Sequence, residues 1–430
     1  MQRKLTTLAA AAAISLMALP ARADLFDVSI TVNGVTQTRS FSSLENALTL
    51  LTGPGITSLF PSYRTGTALT SVVNYGGLVL PITVPAGTTT AVLTIPGTNT
   101  GVAFAGQTSG QTQNLLRNFF QGAVTSGDVI ASLPESVRAT LSPDVQNALR
   151  ASLTTVLQTA VATTISDPVA GNPSALMPQM VAADYLAGMA PSGSLLGVNE
   201  ARAGGFHFSG GLNILATSSG GADTRVLSAP LRVSYYIPRT ATEIFLDAPM
   251  SYADIGGTSV FQGSVGIGVR QRVWHGERFE WNLTPAYRTG IAGSESYGRG
   301  SLALGVSLTS DLRFSLPADY TFAITNTAAY YQTEAYNFGG FNINYNLQNQ
   351  YYRNGVTLSR PLGEVFGRPL QGGLTFVDTR VTGDRTAVPG WQEYGVVLAT
   401  GGRLPSRFTA TFINGQNNFQ AFRFGLSTAF

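Results

Sequence analysis

The part of the chain after about residue 204 alternates apolar and polar side chains with a period of two residues. Between 302 and 309, Leu302, Leu304, Val306 and Leu308 alternate with small or hydroxylated residues. Successive side chains of a strand point to opposite faces, and strands that cross a bilayer alternate in this way over about ten residues. An open sheet edge would leave backbone groups unpaired in hydrocarbon. The pattern therefore predicts a closed antiparallel transmembrane β-barrel over 204–430, with about 12 strands.

Further segments repeat this alternation, and charged residues occupy the phase opposite to the apolar one. The apolar positions are Val265, Ile267, Val269 and Val273; Leu231, Val233, Tyr235 and Ile237; Phe279, Trp281, Leu283 and Tyr287; and Phe341, Ile343, Tyr345, Leu347 and Tyr351. A charge facing lipid near the midplane costs about 2–4 kcal/mol, so we expect the charged phase to face the lumen. The predicted lumen charges are Arg232, Arg270, Arg272, Glu280, Arg288, Asp311, Arg313 and Arg423. They could hold an internal helix, gate a pore, or only solvate a wet interior.

Aromatic residues gather near the ends of the predicted strands. Amphipathic rings are favoured at the level of the lipid headgroups, so we expect two aromatic girdles around the barrel. The candidates are Tyr235, Tyr236, Trp274, Tyr287, Tyr320, Tyr330, Tyr331, Tyr351, Tyr352 and Trp391.

The first 23 residues have the pattern of a cleaved secretory signal. Arg3 and Lys4 precede an apolar stretch over 5–19, and Ala21-Arg22-Ala23 is a small-x-small cleavage site. The chain has 26 Lys and Arg against 23 Asp and Glu, and the three basic residues of this segment account for the excess. The mature chain is therefore formally neutral, which gives no reason to expect a nucleic-acid partner. The absence of cysteine excludes a disulfide scaffold and Cys-ligated metal sites.

Residues 24–110 read as a small α+β or β domain. Val28–Val32 alternates and is followed by Asn33-Gly34, the residue pair of a type I′ hairpin turn. Ser42 and Glu45 fit a capping box at the start of a short helix.

Residues 111–203 are predicted to form a helical linker or plug. The strongest helix signal is an amphipathic stretch over 142–166, with Ser142 as N-cap and Pro143 in the first turn. A Pro- and Gly-rich connector and a second short helix, around 175–189, follow it. The predicted organisation is thus a signal peptide (1–23), an N-terminal domain (24–110), a helical segment (111–203) and a mainly β, barrel-forming part (204–430).

The end of the chain resembles the C-terminal assembly signal of bacterial outer-membrane proteins. The residues that carry the resemblance are Phe422, Phe424, Gly425, Leu426 and the terminal Phe430. The resemblance implies a monomeric barrel in the outer membrane of a Gram-negative bacterium. Its partners would be outer-membrane lipids and, during assembly, periplasmic chaperones and the barrel-insertion machinery.

The order of signal, N-terminal region, amphipathic helix and C-terminal barrel also resembles the autotransporters of type V secretion. In that family the barrel anchors the protein, and a helix threads the pore to join an exported passenger. The short N-terminal region without solenoid repeats and the Pro/Gly-rich connector depart from the family pattern. They leave open a solitary channel or receptor barrel whose N-terminal region is a plug or a periplasmic domain.

One pair of residues is compatible with an enzyme. His207-Phe208-Ser209 is similar to the His-x-Ser element of outer-membrane phospholipases and lipid A deacylases, which present the pair toward lipid. Here Phe206 and Phe208 hold the apolar phase, so His207 and Ser209 are expected to face the lumen. We therefore expect a non-enzymatic protein without cofactor or metal, and keep lipid hydrolysis as a distant alternative.

Overall fold

The computed structural model describes residues 25–96, 100–121, 128–130, 156–157, 160–189, 204–219, 222–294, 296–338, 341–343, 345–402 and 405–429. The predicted signal segment, Ser142, Pro143 and most of the amphipathic helix predicted over 142–166, and Phe430 lie outside these residues. Within the described ranges, no helix has both the length and the apolar character needed to cross a bilayer.

The N-terminal part is a seven-stranded antiparallel sheet with three helices. Its strands are β1 Phe26–Val32, β2 Val35–Phe41, β3 Leu69–Tyr75, β4 Leu78–Val84, β5 Ala91–Ile95, β6 Thr100–Phe104 and β7 Asp128–Ile130, in the spatial order β2-β1-β3-β4-β5-β6-β7. Its helices are α1 Leu44–Leu50, α2 Gly53–Leu59 and α3 Ser109–Phe120. Strand β7 pairs with β6, and α3 buries Phe119 and Phe120. This folded unit therefore continues past residue 110, to Ile130.

Local sequence signals explain these elements. Asn33 and Gly34 have positive φ values of 49° and 79°, as a type I′ turn between β1 and β2 requires. The N-cap of α1 is Ser43, whose side chain accepts a hydrogen bond from the amide of Asn46. The N-cap is therefore one residue later than predicted, and Ser42 and Glu45 do not form the predicted capping box. The carbonyl of Ser42 accepts from the Thr258 hydroxyl at 2.6 Å.

The C-terminal part is one closed sheet. Its strands are β8 Gly205–Ser219, β9 Ala222–Ala229, β10 Leu231–Ile237, β11 Thr242–Asp247, β12 Met250–Ile255, β13 Thr258–His275, β14 Phe279–Ser294, β15 Arg299–Ser315, β16 Thr321–Glu334, β19 Gln348–Val365, β20 Arg368–Gly383, β21 Gly390–Thr400, β22 Ser406–Gly415 and β23 Gln420–Ala429. A separate small hairpin, β17 Tyr336–Phe338 with β18 Phe341–Ile343, extends the connection from β16 to β19.

These elements make a 12-stranded barrel. Strand β8 pairs with both β9 and β10, and β13 pairs with both β11 and β12. Each of these pairs is therefore one barrel strand, interrupted at Pro230 or at Pro249, because proline cannot donate to the ladder. Pairing of β23 with β8 closes the sheet. The predicted fold class, a closed antiparallel barrel of about 12 strands, is confirmed.

The outer face of the barrel is apolar over most of its circumference. Val265, Ile267 and Val306 expose 48%, 54% and 55% of their surface, whereas inward Asp311 is fully buried. The segment 345–351 is an exception to the predicted phase, and the side chains of Phe341 and Ile343 lie outside the described part. Tyr345, Leu347 and Tyr351 are buried and face inward. Tyr345 and Leu347 precede β19, and Tyr351 is close to its start. Here the side chains pack in a buried apolar cluster instead of contacting lipid.

Three of the ten predicted girdle aromatics are buried inside the barrel rather than exposed on its outside. Tyr331, Tyr351 and Trp391 are at most 1% exposed. Polar partners inside the barrel explain two of them, because the Tyr331 hydroxyl donates to Asp184 and the Trp391 indole N–H donates to Glu393. Tyr235, Trp274, Tyr287 and Tyr352 are exposed on the outside.

The barrel has two distinct ends. The chain enters β8 and leaves β23 at one end, which we call the terminal end; its connections are 238–241, 276–278, 316–320, 366–367 and 401–405. The opposite, loop end carries connections that include 295–298, 384–389 and the longest, 335–347. The N-terminal domain contacts the loop end, where the N–H of Leu44, the first residue of α1, donates to the Ser296 carbonyl at 2.9 Å.

Candidate functional site: the filled lumen

A helix occupies the barrel interior. Helix α4, Leu176–Met189, packs against β13, β14, β15, β16 and β19. The chain approaches it through a buried turn in which Asp167 accepts from the amides of Val169 and Ala170 at 3.0 and 2.8 Å. This is the second short helix of the sequence prediction. Most of its apolar side chains are buried inside the barrel. Its one carboxylate, that of Asp184, is 1% exposed.

Asp184 belongs to a chain of buried charges near the middle of the lumen. Arg288 lies 2.8 Å from the Asp184 carboxylate and 2.7 Å from that of Asp247. Asp247 in turn pairs with Arg232 at 3.0 Å, and the Tyr331 hydroxyl donates to Asp184. A buried charge is tolerated only when it is paired and hydrogen-bonded. The network therefore fixes α4 to the barrel wall through Asp184.

A second group of charges holds the C-terminal end of α4. The Arg270 guanidinium donates to the carbonyl of Gly188 at 3.2 Å and lies 3.6 Å from Asp311 and 3.9 Å from Glu280. Arg313 pairs with the same Asp311 at 2.8 Å. A cation at a helix C-terminus meets unpaired carbonyls and the negative end of the helix dipole. Arg270 therefore acts as a C-terminal cap that the barrel supplies.

Close packing also holds the C-terminal half of α4 against the barrel wall. A Cβ placed on Gly188 would lie 2.3 Å from Thr309, and one placed on Gly355 would lie 2.0 Å from the Tyr185 hydroxyl. Both glycines thus allow α4 and the barrel wall to approach more closely than any larger residue would permit.

A third group of charges lies on the other side of the lumen. Glu393 pairs with Arg353 at 2.7 Å and with Arg423, and accepts from the Trp391 indole at 3.0 Å. The Arg353 guanidinium stacks over the ring of Tyr185 of α4, 4.9 Å from its centroid. Sequence reasoning missed Arg353, Glu393, Asp184 and Asp247. Of these, Arg353 and Glu393 could have been found by extending the lumen phase along β19 and β21.

A junction at the loop end joins the N-terminal domain, the approach to α4 and the barrel. Arg299, 1% exposed, donates to the Tyr75 carbonyl at 3.0 Å and to the Thr164 hydroxyl at 3.1 Å. Its guanidinium also lies 4.3 and 4.1 Å from the ring centroids of Tyr75 and Tyr297. Burial raises the pKa of both phenols, so they remain neutral donors at this interface. The Tyr75 hydroxyl donates to the Tyr297 carbonyl at 3.1 Å.

The remaining predicted site residues have varied positions. Arg272 is half-buried near the end of β13, beside a register shift. Phe422, Phe424 and Leu426 of the assembly signal expose 55%, 38% and 54% of their surface on the outside. Gly425 faces inward, where a Cβ would lie 2.4 Å from the Asn213 amide oxygen. Phe430 lies outside the described residues.

Among the residues that the structure describes, those inside the barrel do not fill the lumen completely. A cavity of ≈ 340 Å³ lies beside α4, on the side of β8, β9, β10 and β20–β23. Among the residues that line it are Leu186, Asn213, Arg232, Arg353, Glu393 and Arg423. Leu186 is 52% exposed although it lies within the barrel. Within the described residues, the helix therefore occupies one side of the lumen, and a cavity lined in part by charged residues lies on the other side.

His207 and Ser209 are on the inner phase of β8. Both are half-buried, whereas Phe206 and Phe208 expose 69% and 44% of their surface on the outside. Ser209 lines the cavity. Among the residues that the structure describes, no cluster of three or more His, Cys, Asp or Glu side chains could hold a metal ion.

The sequence matches no family model and no curated protein. Among solved structures, the β domain of the Bordetella autotransporter Brka is 15% identical, with a TM-score of 0.41 over 53% of this chain and 99% of that one. The translocator domain of autotransporter NalP from Neisseria meningitidis is 11% identical, with a TM-score of 0.40 over 59% and 94%. An outer-membrane channel from Pseudomonas putida F1 is also 11% identical, with a TM-score of 0.40 over 54% and 96%. All three are outer-membrane proteins, but matches this distant say nothing of what this chain does.

Proposed function

We propose that the chain is a non-enzymatic outer-membrane anchor of autotransporter type, which displays its N-terminal domain on the cell surface. The observation that carries the proposal is the path of the chain. The N-terminal domain sits at the loop end, the segment 160–189 descends through the lumen, and β8 begins at the terminal end. The described residues 160–189 thus run inside the barrel from the loop end toward the terminal end.

The direction of that path follows from contacts at successive levels. Ser166 donates to the Gly76 carbonyl at the loop end, at 2.7 Å. Asp184 meets Arg288 midway along β14, and Gly188 meets Arg270 nearer the terminal end. The apolar outer face supports a place in a membrane. The longest connection, 335–347, lies at the loop end, and outer-membrane barrels carry their longer loops outside. Together these features favour an external N-terminal domain.

Cysteine labelling of intact cells tests the proposal, because the chain has no native cysteine. Thr83 is exposed on the N-terminal domain, and Asp319 is exposed in the 316–320 turn at the terminal end. We expect a membrane-impermeant maleimide to label Thr83→Cys on intact cells and Asp319→Cys only after the outer membrane is permeabilised. Protection of Thr83→Cys in intact cells, with labelling after permeabilisation, would refute display and favour a periplasmic domain.

The cavity beside α4 supports a second candidate function, conduction of small ions. Paired charges face each other across it, Arg232 with Asp247 on one wall and Arg353 with Glu393 on the other. Charged residues lining a pore set which ions it admits. In this case the barrel would be a partly plugged channel with an attached domain.

Planar-bilayer recordings distinguish the two functions. We expect Leu186→Trp to lower any conductance, since Leu186 lines the cavity. We expect Asp184→Ala to raise the conductance, because it releases α4 from Arg288. A silent wild-type barrel that stays silent in Asp184→Ala would remove the channel hypothesis and leave the anchor.

Lipid hydrolysis remains the distant alternative. The inward positions of His207 and Ser209 favour an inert pair, because a lipid substrate lies on the outer face. Turnover of phospholipid or lipid A by the purified protein, abolished in Ser209→Ala, would overturn the non-enzymatic part of the proposal.

A further inference from the structure

The N-terminal sheet ends in an unprotected edge strand. Strand β2 has β1 as a neighbour on one side, and no described strand pairs with its other side. Val35, Thr36, Gln37, Thr38, Arg39 and Ser40 are all exposed. Natural proteins usually shield such an edge with proline, lysine, a bulge or a covering element. Strand β2 has no proline or lysine, and Arg39 is its one charged residue.

The hairpin turn determines which backbone groups of β2 are free to pair. Asn33 and Gly34 form a two-residue turn, so the flanking residues Val32 and Val35 are bonded to each other. In an antiparallel ladder, hydrogen-bonded and non-bonded pairs alternate. The N–H and C=O groups of Val35, Gln37 and Arg39 therefore point to β1. Those of Thr36, Thr38 and Ser40 point away from the sheet.

From this edge we infer that two copies of the chain associate by antiparallel pairing of β2 with β2 about a two-fold axis through Thr38. The register is self-complementary. Thr38 faces its own copy, Thr36 faces Ser40, Gln37 faces Arg39, and Val35 faces Phe41. Two like charges facing each other across the strands would be destabilising, and this register places none in that position. A two-fold axis makes the two patches identical, as in most homodimers.

The side chains next to the edge continue the pattern. On β1 and β2, Ser29 bonds to Thr38 and Thr31 bonds to Thr36, each at 2.8 Å, while Ser40 donates to Asp27 at 2.6 Å. Pairing with a second β2 would place the Thr36, Thr38 and Ser40 hydroxyls beside their counterparts. One row of hydroxyls would then cross the joined β1 and β2 strands, with an Asp27 carboxylate beside each Ser40.

The pairing also fixes where the two barrels lie. Strand β2 ends near its own barrel, since the Ser42 carbonyl accepts from Thr258, whereas its turn at Asn33-Gly34 is at the far end of the strand. In an antiparallel pair the two barrels therefore lie at opposite ends of the joined strands. Contact between two facing membranes would follow if the domain is displayed, and that step alone rests on the proposed function. The dimer itself forms in detergent whichever side the domain occupies.

Disulfide trapping of the purified full-length protein tests the register. Opposite residues of a bonded pair have Cα atoms about 5.5 Å apart, within the range that a disulfide spans. We expect mild oxidation to convert Thr38→Cys mainly to a covalent dimer. Thr83→Cys is the matched control, because it is equally exposed but lies on the interior strand β4. Equal cross-linking of the two variants, or none, would overturn the inference.

A proline variant tests the interface without the cross-link. The Thr38 N–H points outward, so Thr38→Pro removes a donor that β1 does not use, and edge strands accept proline at such positions. We expect Thr38→Pro to raise the dissociation constant of the dimer by on the order of tenfold or more, while Thr38→Ser stays near wild type. Light scattering after size exclusion measures both. A monomeric wild type, or a dimer unaffected by Thr38→Pro, would contradict the inference.

Discussion

The N-terminal sheet and the barrel use the same two-residue alternation with opposite orientation. In β1, Phe26, Val28 and Ile30 are fully buried against the helices, and the intervening polar residues face outward. In β15, Val306 and Leu308 are about half exposed, and the intervening Ser307 is 7% exposed. One sheet surrounds a dry core, and the other surrounds a charged lumen. Alternation therefore shows that a strand has two different faces, whereas the distribution of charge shows which face is inside.

The largest expected effect concerns the buried charges of the lumen. The described residues of the N-terminal domain include no buried charge of this kind. Arg288→Met leaves Asp184 and Asp247 without their shared partner. Breaking a buried pair in this way costs about 3–5 kcal/mol. The measurement is urea unfolding of the protein in detergent or vesicles. Arg380→Met is the control, because the Arg380 side chain is 48% exposed and its pair with Asp378 should contribute little. Equal losses in both variants would mean that the lumen network does not stabilise the barrel.

A matched pair of substitutions tests the opposite orientation of the two sheets directly. Val306 on β15 and Val79 on β4 expose similar fractions, 55% and 51%. If Val306 faces lipid, Val306→Arg should cost about 2–4 kcal/mol in vesicles, whereas Val79→Arg should change stability by less than about 0.5 kcal/mol. Folding into vesicles of defined lipid measures both. A harmless Val306→Arg would show that the outer face of the barrel is not in contact with acyl chains.

The smallest expected effect sharpens the comparison within the N-terminal domain. Thr108 and Gln111 form a reciprocal capping box at the start of α3. Thr108→Ala should cost about 1 kcal/mol, detected as earlier unfolding of the N-terminal domain. The barrel transition should stay in place, because α3 lies outside the lumen. Concerted movement of both transitions would show that the junction at Arg299 couples the two parts into one cooperative unit.

Several parts of the fold followed from particular sequence signals. The hairpin at Asn33-Gly34 needs positive φ values that these residues adopt readily, and the barrel strands needed only period-two alternation with charges on one phase. The predicted phase was wrong over Tyr345, Leu347 and Tyr351, because near the loop end a buried partner replaces lipid. The prediction of an outward girdle position was wrong for Trp391, whose indole N–H donates to Glu393 inside the barrel. Whether the residues of the C-terminal signal direct assembly stays a prediction.

By itself the sequence determined a closed barrel, because alternation without a spanning helix leaves a membrane strand no other way to pair its backbone. Only the tertiary structure decided how the lumen is filled and at which end the N-terminal domain lies. Asp184 is one carboxylate in an apolar helix, and its partners Arg288 and Tyr331 are more than 100 residues away in the chain. Such contacts depend on the three-dimensional register of strands around the helix, and no local pattern in the sequence encodes them.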